Sequence, residues 1–278
     1  SDLCHYIALC LFVPAGTEFT LDANWEAKDV NVTLGPNGGT FDTSKANGWT
    51  IDTTNQVATK TLKYGSAYGT FAEVTKAGYT FEGWYTDLNF TTKVTSSTTI
   101  SNESAHTLYA NWTANALTLT LNANGGSISA STDSSWTGKG STATKTVYNN
   151  QKYGTLPTAS QIVRAGQTFL GWSTSQSDTA LSNQVTADTT VTQTANHTIY
   201  AIWQATTYTI TYDLDGGTAT AGNPVRYNVL GQYSTSTTGS LVAGAKFGSA
   251  TKTGYNFAGW KVTKIINDAG TTLTSGSY

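Results

Sequence analysis

From Ala116 to Leu121 the chain alternates, with Leu117, Leu119 and Leu121 on one face of an extended segment and Thr118 and Thr120 on the other. That pattern predicts a half-buried strand. It runs into Asn124-Gly125-Gly126, residues that tolerate positive φ and so predict a tight hairpin turn. The same order returns as VTLGPNGG around Asn37 and as ITYDLDGG around Asp215. Further on, a predicted strand ends in Tyr64 or Tyr148, and a short piece (YGTFAEV, YGTLPTA) has room for one helical turn. A Gly-Tyr-x-Phe-x-Gly-Trp strand then places Tyr79, Phe81 and Gly83 on one face and Trp84 on the other. A last strand carries Leu108, Ala110 and Trp112.

These elements recur at a fixed period. AGYTFEGW, AGQTFLGW and TGYNFAGW end at Trp84, Trp172 and Trp260, 88 residues apart each time. HTLYANW and HTIYAIW end at Trp112 and Trp203, 91 apart, and FTLDANW ends at Trp25, 87 before Trp112. Between the Gly-Gly turn and the next strand lies a longer polar segment with Trp49 or Trp136, and Tyr227 at the matching place. Three markers in constant order predict an array of repeats of about 88 residues. The expected modules are residues 26–113, 114–204 and 205–278, the last without its final strand. Residues 1–25 are the closing strands of a partial repeat. Short polar joints (Thr113 to Ala116, Gln204 to Thr207) predict neighbour-to-neighbour contacts.

Composition sharpens the fold class. Charged residues are 12% of the chain and aromatics another 12%, so bulky apolar surface is ample and intrinsic disorder is not expected. Abundant Thr, Tyr, Val and Trp favour strands, and 27 Gly with 4 Pro supply turns. The class is all-β to α+β: mostly strand, with short helices at most. A net charge of −2 offers no handle for nucleic acid, and no run of 18 apolar residues predicts a membrane span. Tyr6 to Val13 (YIALCLFV) looks like a signal-peptide core, yet it lacks a starting Met and a basic flank and is rejected as one. The absence of Met fits a processed or excised fragment.

Candidate chemistry is sparse. His106 and His197 are repeat equivalents, but the partial copy has Phe19 at that place, so a structural role is expected. His5 beside Cys4 and Cys10 lacks the second half of a zinc motif. The Asp215 turn lacks the alternating oxygen ligands of a calcium loop. No nucleophile elbow, zincin helix or phosphate loop occurs, and Glu73, Glu82 and Asp87 do not recur at matched positions. No catalytic, cofactor-binding or metal site is predicted, and the chain reads as no enzyme. Trp84, Trp112, Trp172, Trp203 and Trp260, each on a predicted strand, are expected in cores. Trp49 and Trp136, in the polar segment, are left open between core and exposed sugar-stacking roles.

Asn-Gly-Gly, then Tyr-Gly, then Gly-Tyr-x-Phe-x-Gly-Trp, then a Thr/Ser-rich stretch and Thr-Leu-Tyr-Ala-x-Trp resembles the Listeria–Bacteroides repeat, related to the B-repeat of internalin B. The resemblance covers nearly the whole chain. It implies compact β-grasp modules strung along extracellular bacterial surface proteins as stalk or adhesive elements. The segment after the Gly-Gly turn is longer here than in that pattern, so strand order there is not carried over.

The two ends complete the sequence reading. The last repeat reaches LTSGSY (273–278), where its siblings read VTSSTT and VTADTT and continue into a closing strand. The N-terminus carries VPAGTEFTLDANW (13–25), preceded by the apolar run IALCLF (7–12). The expectation is head-to-tail strand donation from residues 1–25 of one copy to the last repeat of the next, giving filaments. Ile7, Leu9, Leu11, Val13, Phe19, Leu21, Trp25, Leu273 and Tyr278 are the predicted interface. On one strand Cys4 and Cys10 would lie roughly 20 Å apart, beyond the roughly 4.4–6.8 Å of a disulfide. They pair with each other only if the chain turns back, and either could lock subunits together. Two other readings stand beside this one: a chain cut from a longer array, or an adhesin that binds a host protein, glycan or cell-wall component.

Overall fold

In the computed structural model, the described residues are 16, 18, 20, 22–129, 135–244, 246–267 and 272–273. Cys4, Cys10, Ile7, Leu9, Leu11, Val13, Phe19, Leu21 and Tyr278 lie outside them. The chain forms two compact units, residues 1–75 with 81–111 and residues 76–80 with 112–278. Among the described residues the regular elements are strands, apart from one 3-10 turn at Thr43–Lys45. No helix among them is long and apolar enough to cross a membrane.

The first repeat builds a six-stranded sheet. In spatial order its strands are an edge strand (Thr50–Asp52), a return strand (Val57–Lys63), an opening strand (Asp29–Gly35), a closing strand (His106–Ala114), an aromatic strand (Tyr79–Tyr85) and a rim strand (Lys93–Val94). Return and opening strands are antiparallel, whereas the closing strand joins the opening strand in parallel, from Val32↔His106 to Gly35↔Tyr109. The second repeat lays out the same order: Trp136–Thr137, Thr142–Tyr148, Ala116–Asn122, His197–Ala205, Gln167–Ser173 and Gln184–Val185. The closing strand is thus central. It pairs in parallel with the opening strand (His197↔Leu119 to Tyr200↔Asn122) and antiparallel with the aromatic strand (Phe169↔Trp203 to Ser173↔Tyr200).

Alternation places the core as the sequence predicts. Leu117, Leu119 and Leu121 are buried, as are Val30, Val32 and Leu34, while the intervening positions face outward or are half-exposed. From the closing strands Leu108, Ala110, Ile199 and Ala201 join the same cores. Each repeat also has a two-stranded ribbon: Thr40–Phe41 with Val74–Thr75, Ser127–Ile128 with Ile162–Val163, and Thr218–Ala219 with Ala250–Thr251.

Three local expectations are corrected. The Gly-Gly turns form, with φ of 48° and 81° at Asn37 and Gly38, 48° and 84° at Asn124 and Gly125, and 44° and 78° at Asp215 and Gly216. They do not close hairpins, because both neighbours of the opening strand are already taken; the chain leaves each turn for the ribbon instead. The Tyr-Gly pieces hold no helical turn. Their N–H groups donate to the Thr/Ser-rich stretch: Tyr68 to Thr98 O, Gly69 to Ser96 O, Tyr153 to Thr189 O and Gly154 to Ala187 O. Finally, the aromatic strand does not alternate strictly. In the second repeat a bulge lies between Phe169 and Gly171, where φ at Gly171 is +156°, and it turns Phe169 onto Trp172 with ring centroids 5.5 Å apart.

The third repeat is wired differently. Its opening strand shrinks to Thr207–Thr209, which pairs with Arg226–Asn228 and, antiparallel, with Ile265–Asn267. Gln232–Ser234 with Val242–Ala243 extend one side and Thr272–Leu273 the other, so Leu273 lies in an edge strand. Residues 210–217 and 255–264 are in no strand, although their equivalents 119–122 and 167–173 are.

Candidate functional site

The complete repeats show what a closing strand does. Asn37 Nδ2 donates to Ala110 O at 3.1 Å and Asn124 Nδ2 to Ala201 O at 3.0 Å, so the turn is stitched to the closing strand through its Ala carbonyl. The Trp203 ring lies over the second turn glycine, and its Nε1 donates to Ala123 O at 2.9 Å. A Cβ on Gly126 would come within 2.4 Å of that ring, which is why a glycine stands there. Trp203 is thus a half-buried lid over its turn that packs against the core of the second repeat, and Trp112 is half-buried at the equivalent place.

The first residue of each closing strand is a histidine with a fixed partner. Tyr68 Oη is 2.7 Å from His106 Nε2, and Tyr153 Oη is 2.9 Å from His197 Nε2. His106 Nδ1 faces Ser104 O and His197 Nδ1 faces Ala195 O; each Nδ1 donates to its carbonyl, so each Nε2 accepts from the tyrosine hydroxyl. The rings meet edge-on. Burial pushes both tyrosine hydroxyls up from their ordinary pKa. Each pair anchors the start of a closing strand, the structural role expected of the histidines.

The remaining tryptophans divide by depth. Trp84 and Trp172 are buried, and Trp172 Nε1 donates to Pro157 O at 2.8 Å. Trp49 and Trp136 are buried too, donating to Thr70 O and Thr155 O, so neither offers an exposed stacking face. Trp260 donates to Gly248 O at 2.7 Å but stays half-exposed. Asp178 gathers the loop after the second aromatic strand. The N–H of Asn183 first, then the Ser173 hydroxyl, hold its carboxyl down to about 2.

The third repeat opens where its siblings close. Tyr208 is buried, but Ile210, Tyr212 and Leu214, the equivalents of buried Leu119, Leu121 and Ala123, are half-exposed. Across from them Tyr255 is 72% exposed, where its equivalents Tyr79 and Gln167 are half-buried, while Phe257, 42% exposed, differs little from its equivalent Phe81 at 37%. Between the two stretches runs a groove of about 1290 Å³ lined by Ile210, Tyr212, Leu214, Phe257 and Trp260. The short strand Ile265–Asn267 pairs with Tyr208 and Thr209, leaving the register positions of the closing strand, Ile210–Asp213, outside any strand.

Among the predicted interface residues that are described, Trp25 is 87% exposed, in contrast with its half-buried equivalents Trp112 and Trp203. Ile210, Tyr212, Phe257 and Trp260 line this groove, whereas their alternation in the sequence reads as core. Among the described residues no three His, Cys, Asp or Glu side chains gather as for a metal.

Comparison with known proteins agrees with this architecture. A Gly-rich membrane protein, so named, from Evansella cellulosilytica is 26% identical over 91% of the chain, and a second named as a membrane protein from the same organism is 24% identical over 90%. The chain spans only 24% and 30% of the length of these two relatives. No solved structure matches it significantly. The Listeria-Bacteroides repeat domain model matches residues 31–111, 118–202 and 208–274, and the chain belongs to that family.

Proposed function

We propose that the chain works as a non-enzymatic, extracellular structural array on the bacterial surface, extended head-to-tail when residues 1–25 of one copy supply the closing strand of the third repeat in the next. The groove between Ile210–Leu214 and Tyr255–Trp260 carries this reading, since its walls are the equivalents of the two strands that a closing strand bridges in the other repeats. Strand addition uses main-chain hydrogen bonds for affinity and side-chain pockets for fit. The order of elements supports the join. An opening strand begins four positions after Trp112, at Ala116, and after Trp203, at Thr207, and Asp29 likewise begins one four positions after Trp25. A donated strand would therefore be followed by the donor's first repeat through a link of the same length as a covalent joint in the array. A second copy fits this better than the chain's own third repeat, because the array then simply continues. A heterologous contact of this kind does not close on itself.

The test is sedimentation of the full chain over a range of concentrations, beside a chain lacking residues 1–25. Mass that grows with concentration for the full chain and stays monomeric for the truncated one is expected. Equal association of both, or none in either, would overturn the reading and favour a groove filled by foreign chain.

A further inference from the structure

The Gly-Gly turn carries an asparagine in the second repeat and an aspartate in the third, and the two side chains go to different partners: Asn124 to Ala201 O, Asp215 to Lys252. We propose that Asn124 is a modification site, where deamidation to aspartate passes the turn's side-chain anchor from the closing strand to Arg164.

The chemistry needs only what the turn holds and water. Gly125 follows Asn124, and with no side chain it leaves its own backbone nitrogen open to approach. That nitrogen attacks Asn124 Cγ: the N–Cγ bond forms, the Cγ–Nδ2 bond breaks, and Nδ2 leaves as ammonia with the proton that the backbone nitrogen gives up. Water then opens the cyclic succinimide at either carbonyl, giving aspartate or isoaspartate. Gly125 is exposed and Asn124 half-exposed, so water reaches the turn.

The folded turn holds the reacting group back. Nδ2 donates to Ala201 O at 3.0 Å and to Gln176 O at 3.3 Å, and Oδ1 accepts from Gln176 Nε2 at 3.3 Å. Both arms of the amide are therefore turned toward the closing strand and the loop at Gln176. Attack at Cγ requires the side chain to leave these partners, so the reaction runs through local openings in which Ala201 O has let go.

The product cannot return to its old place. A carboxylate has no proton to offer Ala201 O or Gln176 O. A new partner stands ready, since Arg164 Nη1 donates to Asn124 O at 2.9 Å and a Cβ on Gly125 would lie 3.0 Å from the guanidinium Cζ. The third repeat shows the acid version of this wiring. Asp215 holds the place of Asn124, and Lys252 that of Arg164, as the matching bridges Arg164↔Gln167 and Lys252↔Tyr255 establish. There Lys252 Nζ lies 3.0 Å from Asp215 Oδ2. An arginine fork suits a carboxylate in the same way. The anchor thus moves from the central strand of the sheet to the end of the ribbon strand Ile162–Val163, and the turn keeps a lasting record of having opened.

Peptide mass spectrometry on the full chain, incubated at mildly alkaline pH, follows the amide of Asn124 as it becomes an acid. Conversion should proceed in the folded chain at least about tenfold more slowly than in denaturant. Gln176→Ala should speed the folded reaction about two- to tenfold, the worth of one hydrogen bond. No conversion in the folded chain, equal rates folded and denatured, or a rate untouched by Gln176→Ala overturns the gated site. Denaturant unfolding reads the change of partner: Arg164→Gln should lower the folding equilibrium constant of Asn124→Asp at least about threefold more than that of the parent. The deamidated fraction of the parent chain, separated by its added negative charge, gives the same reading should Asn124→Asp fold poorly. Equal effects of Arg164→Gln in amide and acid forms overturn the transfer to Arg164.

Discussion

At the residue scale, the aromatic side chains sort by what covers them. Trp172 is 3% exposed, packed among the second repeat's core, whereas Trp25 is 87% exposed. Trp172→Ala is expected to destabilise its unit by about 3–5 kcal/mol, the usual cost of emptying a large buried aromatic site. Trp25→Ala should leave the melting of the dilute chain unchanged and weaken association instead. Calorimetry with sedimentation on both variants checks the contrast, and equal melting losses would contradict it. The buried Trp84 and Trp172 were legible in the sequence because each stands once per strand at a fixed period. Trp203 packs against the core from its edge, and alternation alone does not show that its ring also lies over Gly126, a second glycine that the turn does not need for positive φ. The Tyr–His pairs were half legible. The recurrence of His106 and His197 pointed to structure, but their partners Tyr68 and Tyr153 are 38 and 44 residues away, and no local pattern joins them.

At the element scale, the closing strand explains why the same motif folds in two repeats and not in the third. GYTFEGWY and GQTFLGWS form strands because a closing strand donates to and accepts from them along one side. GYNFAGWK has the same apolar pattern, but among the described residues no strand pairs with it, and residues 255–261 are in no strand. A strand's backbone groups need a partner before its side-chain pattern can matter. The element order of the first two repeats was readable from period and patterning. What patterning could not give was the parallel pairing of opening and closing strands, which lie more than 70 residues apart in sequence, nor the ribbon to which each Gly-Gly turn delivers the chain. The bulge at Gly171 likewise hides from strict alternation. On adding excess 13–25 peptide to the chain lacking residues 1–25, amides of residues 210–213 and 255–261 should become protected from hydrogen exchange by at least about tenfold, as expected when open strands gain ladder bonds. Protection elsewhere, with these two stretches unchanged, would place the peptide outside the groove.

At the scale of the whole molecule, the proposed joint between chains would keep the spacing of the joints within one. Within the chain the next repeat opens four residues after the Trp of the closing strand, Trp112 to Ala116 and Trp203 to Thr207, and the proposed donation would keep that spacing from Trp25 to Asp29. An open edge beside half-exposed aromatics is a liability unless something covers it, and the proposal is that residues 1–25 of a second copy do so. The register makes the claim directly measurable. Thr198↔Thr120 in the second repeat corresponds to Thr20↔Thr211 between copies. With Cys4 and Cys10 replaced by serine, Thr20→Cys chains mixed with Thr211→Cys chains should form a disulfide-linked dimer under mild oxidation, since neighbouring strand positions fall within the roughly 4.4–6.8 Å that a disulfide spans. Thr209→Cys, two residues out of register and roughly 6–7 Å further along the strand, should cross-link far less. Intermolecular cross-linking at Thr211 and not at Thr209 is the expected result; equal yields at both positions, or none at either, would contradict strand donation into the third repeat.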